Sequence, residues 1–320
     1  MRWLHISDIH FDPEGDGSST EQLRDELPSY LQQFDKVDEV FATGDFRNAS
    51  YQSDTEEVAT AAATFLRELA ASIGVDNPEH IHIVPGNHDL TRQDKRELGK
   101  IRREYDVVDG VFKNKEYLLE RFSFFKRVVR HLHPNGSIWS DNLQPLHPYC
   151  CFGDYNLLYM NTAIACGSDD ERGKLVIGNK DLLSTLKKIK TENSGAPTIA
   201  LAHHGLEHFS TDEQETIEQL FRSYPVRLYL RGDSHKPWYR KINETEEITM
   251  GCIKQGKGVR AAFSIGELRP DGSFPFLTHS WDPAMGTWGL YDHFNRKFKT
   301  LSQNRVEDDR VKDNYLKTRY

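Results

Sequence analysis

Five times along this chain a short apolar run breaks off at a tight corner that contains glycine or serine and carries aspartate, asparagine or histidine. The corners are Ser7-Asp8 with His10 two residues on, Gly44-Asp45, Gly86-Asn87-His88-Asp89, His203-His204-Gly205 and Gly232-Asp233-Ser234-His235. The runs that precede them, 2–6, 39–43, 80–84, 198–202 and 226–230, read as strands, and residues 21–34, 56–73, 179–190 and 212–223 carry helical spacing. Strand alternating with helix predicts an α/β core. In an open α/β sheet, ligands bind at the carboxyl ends of the strands. Polar residues placed there are therefore neighbours however far apart they lie in sequence. Glycine lets the backbone turn sharply at such a corner and approach an ion closely. Carboxylates, amide oxygens and neutral imidazoles suit divalent manganese, iron or zinc.

Other stretches break this rhythm. Residues 91–133 read as helical and basic, with Phe122, Phe124 and Phe125 on one face, and predict a helical insertion within 91–150. That insertion is either a phosphate-attracting cap beside the corners or a solvated helix face, and its phenylalanines read as core-facing. Residues 151–165 suggest a hairpin, and from Ile248 onward the pattern turns to strands at 248–253, 261–268 and 274–281. We expect one catalytic domain over 1–294 and a charged tail over 295–320.

Hydrophobic residues make up 37% of the chain and aromatic residues 11%, which supports a sizeable core and excludes wholesale disorder. No run approaches the roughly 18 apolar residues of a membrane-spanning helix, and the start lacks the pattern of a secretory signal. The four cysteines (Cys150, Cys151, Cys166, Cys252) have no zinc-ligand spacing. Scattered thiols fit a reducing, cytoplasmic setting. The net charge of −8 argues against a wholly basic nucleic-acid coat but not against local patches. Residues 8–57 carry a net −11, partly the candidate ligands themselves, whereas 91–130 and 222–260 each carry +5. Arg92 follows the GNHD corner, and Arg231, Lys236, Arg240 and Lys241 flank the last one. Two basic segments abutting the corners favour a polyanionic substrate, a nucleotide or nucleic acid.

The order D-x-H, GD, GNHD, H and G-x-x-H, running from Asp8 to His235, resembles the calcineurin-like metallophosphoesterase family. The resemblance implies a four-layer α/β/β/α fold, two mixed β-sheets packed face to face with helices outside. It also implies two divalent ions: manganese first, with magnesium, iron or zinc as alternatives. By the same resemblance Asp8, His10 and His235 hold one ion, Asp45 bridges, and Asn87 and His203 hold the other. His88 assists the leaving oxygen and Asp89 supports the ligands; apart from the resemblance, His204, Arg92 and Lys236 read from their places beside the corners as facing substrate. The sequence departs from the pattern twice. Asp233 stands where the family usually has histidine; it either ligates through oxygen, giving a harder second site, or points away. Asn48 stands where related phosphatases often have an aspartate that holds the catalytic histidine. The implied activity is metal-dependent phosphoester hydrolysis, with a nuclease-like phosphodiesterase favoured. Alternatives are a cyclic-nucleotide phosphodiesterase, a phosphomonoesterase, or a metal-degenerate binding module with a regulatory protein partner. The implied chemistry requires no covalent nucleophile, because the ions would activate a water.

Overall fold

Two six-stranded mixed sheets form the centre of the computed structural model, which describes residues 1–12, 17–48, 56–91, 104–167 and 172–292. In the first sheet the order is Thr287–Leu290, Phe276–Asp282, Ala262–Glu267, Arg2–Ile6, Glu39–Ala42 and Ile81–Ile83. Its last three strands are parallel to one another and the rest pair antiparallel. The second runs Trp238–Ile242, Thr245–Thr249, Val226–Arg231, Thr198–Leu201, Asn156–Tyr159 and Tyr149–Cys151, with parallel inner strands and antiparallel edges. The parallel strands are buried almost throughout, which is why they read as unbroken apolar runs.

Helices cover both outer faces and complete a four-layer α/β/β/α architecture. Ser18–Leu31, Glu56–Ser72 and Ser123–Leu132 lie on the side of the first sheet, Asn179–Glu192 and Thr211–Ser223 on the second. Glu56–Ser72 shows the usual logic. Glu56 and Glu57 in its first turn suit the positive helix end, and Val58, Ala62, Phe65, Leu66 and Leu69 turn one stripe inward. Between the sheets, Tyr159 Oη meets His82 Nδ1 at 2.7 Å, Tyr155 donates to Glu39, and Trp139 Nε1 donates to Ile83 O at 2.8 Å.

The segment expected to be helical is so only in part: Tyr105–Asp106 pairs antiparallel with Val111–Phe112, and Lys115–Glu120 and Ser123–Leu132 are helices. Phe122, Phe124 and Phe125 are fully buried, Phe125 against Phe46 and Trp139. Arg67 Nη1 ties this segment to the neighbouring helix through His131 O at 2.8 Å. Arg92 and the charged stretch 295–320 lie outside the described residues. Two strands of the large sheets that the sequence reading lacked, Trp238–Ile242 and Thr287–Leu290, are both sheet edges, where charged residues and glycine replace the apolar pattern. The hairpin expected over 151–165 forms earlier, from Tyr149–Cys151 and Asn156–Tyr159, which leaves Thr162 at a strand end. Among the described residues no helix is long and apolar enough to cross a membrane, and none of the four cysteines is joined in a disulfide.

Candidate metal centre

The five corners converge. Among the described residues, seven non-glycine positions have positive φ, and five of them are Asp8, His10, Asp45, Asp233 and His235, at +53° to +67°. A side chain in this left-handed region is strained by about 1–3 kcal/mol and persists only where its surroundings over-determine it. Backbone bonds do so here. Asp8 N donates to Gly44 O at 3.0 Å, His10 N to Asp45 O at 2.9 Å, and Gly232 N to His203 O at 3.1 Å. Asp233 N donates across to Asp8 Oδ2 at 3.1 Å.

Two groups of donor atoms result, and Asp45 Oδ2 faces both. In the first, His10 Nε2 lies 2.9 Å from His235 Nε2, 3.6 Å from Asp8 Oδ1 and 3.7 Å from Asp45 Oδ2. In the second, His203 Nε2 lies 3.0 Å from Asn87 Oδ1, 3.3 Å from Asp45 Oδ2 and 3.9 Å from Asp233 Oδ1. Donor atoms around an ion with bonds of about 2.1 Å stand roughly 3.0–3.5 Å from each other, a spacing that both groups, at 2.9–3.9 Å, approach. Asp8 Oδ1 supplies an independent sign. It is fully buried without a hydrogen bond of good geometry among the described residues, with His235 Nε2 at 3.2 Å and His10 Nε2 at 3.6 Å. A buried carboxylate oxygen left so, beside two imidazole nitrogens pointed at one another, fits a cation.

The electrostatics agree. Burial would raise the Asp45 carboxyl, but His203, His88 and His10 outweigh it and hold Asp45 well below the usual range. Asp8, fully buried, is held low by His10 and His235, and Asp233, despite burial, by His208 and the imidazoles of 203 and 204. In turn burial disfavours charge on His203 and His235, yet Asp45 chiefly raises the first and Asp8 the second. Three low carboxylates demand positive charge at this spot, and divalent ions supply it without protonating the imidazoles.

Around this cluster the remaining candidates take different places. His88 donates its main-chain N–H to Asp45 Oδ1 at 2.8 Å, and its Nε2 stands 3.8 Å from Asp45 Oδ2 with the side chain 17% exposed. Asp89, completely buried, accepts the main-chain N–H groups of Asp45, Phe46 and Gly86, each at 2.8 Å, so it organises backbone. Burial first, then the Asp45 charge, push its carboxyl up to about 7. Asn48, which stands where relatives often have aspartate, turns its amide to Asp12 Oδ2 at 2.8 Å. His204 is buried with Nδ1 against Thr162 Oγ1 at 3.0 Å, and burial, then His203, lower it to about 3. Its ligand atom still lies within 4.8 Å of those of His203 and Asp233. Lys236 is exposed.

Sequence reasoning missed three things. His208 Nε2 lies 3.0 Å from Asp233 Oδ2; the third histidine in His203-His204-Gly205-Leu206-Glu207-His208 was its one signal. Trp238, three residues after His235, is 54% exposed. In the two basic stretches, moreover, several cations are tied to acids or carbonyls that the sequence reading did not pair with them. Arg231 and Arg240 are both bound by Glu207 and Glu247 at 2.6–2.9 Å. Arg121 is buried on carbonyls of Thr91, Ile164 and Cys166, and Lys115 pairs with Asp181 at 2.6 Å. A net charge read over one stretch leaves out acids such as Glu207 and Asp181 that folding brings from outside it.

A model of the calcineurin-like phosphoesterase family matches residues 1–237. An uncharacterized metallophosphoesterase-like protein, YydB of Bacillus subtilis (strain 168), is 26% identical over 330 aligned residues that cover 93% of this chain. The chain spans 63% of that relative's length. Among solved structures, TT1561 of Thermus thermophilus aligns at 13% identity and a TM-score of 0.47, covering 86% of this chain and 97% of its own. GAP50, the anchor in the inner membrane complex of Plasmodium, aligns at 12% identity and 0.49, covering 91% and 88%.

Proposed function

Because the chain belongs to the calcineurin-like phosphoesterase family, a family of metal-dependent phosphoester hydrolases, we propose that it cleaves phosphodiesters in nucleotides or nucleic acid. The observation that carries this reading is Asp45 Oδ2, which faces His10 Nε2 at 3.7 Å on one side and His203 Nε2 at 3.3 Å on the other. Asp8, His10 and His235 would hold one divalent ion, Asn87, His203 and Asp233 a second, with Asp45 between them. Bound there, the ions neutralise phosphoryl oxygens and lower the pKa of a water. With three carboxylates the donor set is hard and favours manganese or magnesium over zinc.

The chain's own residues do the rest. His88 sits at the partly exposed edge of the group, within 3.8 Å of Asp45, where its imidazole can pass a proton to the departing oxygen. Asp89 fixes the two corners that carry Asp45 and His88 by holding their amides. Exposed Lys236 offers a cation to a neighbouring phosphate, and exposed Trp238 a surface for a base.

Hydrolysis of bis(p-nitrophenyl) phosphate and of p-nitrophenyl phosphate, each with manganese, magnesium, zinc or chelator, tests the proposal. We expect manganese-dependent turnover with the diester preferred. A monoester preference would move the chain to the phosphomonoesterases. Turnover untouched by chelator, or no metal uptake at all, would end the reading.

A further inference from the structure

The two oxygens of Asp233 have different neighbours. Oδ1 faces His203 Nε2 at 3.9 Å, and Oδ2 lies 3.0 Å from His208 Nε2, where an imidazole N–H donates to the carboxylate. The Asp233 backbone is already committed, with φ at +67° and its N–H on Asp8 Oδ2. Only side-chain rotation is left open, and His208 restrains it. His208 is itself well anchored. It ends the one-turn helix Leu206–His208, its N–H donates to Gly205 O at 3.0 Å, and its carbonyl accepts Lys174 N and Leu175 N at 3.0 and 2.9 Å. The preceding residue, Glu207, is held by Arg231 and Arg240 at 2.8 Å each, and both arginines share Glu247. The imidazole therefore reaches Asp233 from a fixed frame rather than from a mobile loop.

We propose that His208 is a positioning residue for the second ion: by occupying Asp233 Oδ2 it leaves Oδ1 as a single, aimed oxygen ligand. Without this partner the carboxylate is able to chelate with both oxygens or turn toward solvent, since its side chain is 18% exposed. Outer hydrogen-bond partners of ligating groups typically matter by about 10–100-fold in metal affinity. The inference rests on the metal centre proposed above.

The test is titration of the metal-free full chain with manganese alone, followed by calorimetry and by the electron paramagnetic resonance signal of unbound manganese. The wild-type chain should take up two ions. His208→Ala should weaken one of them by about 10–100-fold and leave the other unchanged. His208→Gln, which keeps an N–H donor, should restore the weakened site to within about threefold of wild type, and circular dichroism should report the same fold for both variants. Equal affinities in His208→Ala and wild type would overturn the proposal. So would parallel weakening of both sites, or a His208→Gln chain as weak as His208→Ala, which also decides the matter if the alanine variant does not fold. A wild-type chain that binds no manganese would instead overturn the metal centre itself.

Discussion

Gly86 lies so close to Asp45 that a methyl group on its α-carbon would stand 2.1 Å from Asp45 Oδ1 and 2.5 Å from the Asp45 main-chain nitrogen. Neither atom is the far end of a flexible side chain. Asp45 Oδ1 already accepts His88 N, and the Asp45 nitrogen is held by Asp89. Gly86→Ala should therefore displace the shared carboxylate rather than unfold the chain. A misplacement of about 1 Å at a reacting centre is worth roughly 100-fold in rate, so kcat should fall by at least that much while the unfolding midpoint moves little. Turnover within threefold of wild type would mean that the corner yields and that Asp45 does not set the geometry.

Asp89 makes a different prediction, about stability. Its two oxygens accept three buried main-chain N–H groups from two corners. Asp89→Ala orphans all three, at about 1–3 kcal/mol for each buried unsatisfied group, partly relieved by local shifts. We expect a loss of about 3–5 kcal/mol, read from urea midpoints at unchanged slope. Asp89→Asn should recover little, because its NH2 group would face an N–H. A loss below 1 kcal/mol would show that other acceptors, or water, take over.

How much of this was legible in the sequence follows from how local each feature is. The five corners could be read because each packs a strand end, a small residue and a ligand type into a few consecutive positions. Their left-handed backbone could not, since aspartate and histidine adopt it at 8, 10, 45, 233 and 235 only under bonds from distant segments, such as Ile253 N to Asp8 O. The edge strand Trp238–Ile242 was hidden by its own arginine and lysine. The pairing of His208 with Asp233, and of Arg231 and Arg240 with Glu207 and Glu247, joins residues on different elements, and no spacing rule reaches across that gap. The contact of Asn48 with Asp12 is of the same kind, fixed by how two loops lie together.

Acid should destabilise the fold through histidines that have nothing to do with the metal centre. His279 is fully buried against Phe263 with Nδ1 3.0 Å from Tyr30 Oη, and burial lowers it to about 3. His147, likewise buried, is lowered to about 4. Both folded values lie below the unfolded value of about 6.5. The unfolded chain then binds more protons, so this contribution is complete above pH 6.5 and fades as pH falls toward 4 and 3. Each such histidine removes up to about 1.4 kcal/mol per pH unit in that window. Urea titrations of the metal-free chain at pH 7.5, 6 and 5 should show the decline, and His279→Gln should make it shallower. An unchanged slope in that variant would mean that His279 titrates alike in the folded and unfolded chain.

Trp238 and Lys236 bear on substrate class. Trp238 pairs with Thr249, which pairs with Arg231, so the indole stands level with the carboxyl ends of the parallel strands, two strand spacings or about 10 Å from Arg231. Strand alternation puts it on the same face as Arg240, whose guanidinium reaches Glu207 beside His208. Lys236 is the residue directly after His235 and is exposed. A phosphodiester at the proposed centre would thus find a cation next to it and an aromatic plane one nucleotide away. Trp238→Ala should weaken binding of a short single-stranded oligonucleotide by about 1–3 kcal/mol, the usual worth of one stacked base, with kcat for bis(p-nitrophenyl) phosphate unchanged. Lys236→Ala should weaken it evenly across sequences and reduce the slope of log affinity against log salt by about 1. If oligonucleotide affinity and its salt slope ignore both changes, a nucleic acid gripped at this edge is not the substrate of the proposed activity.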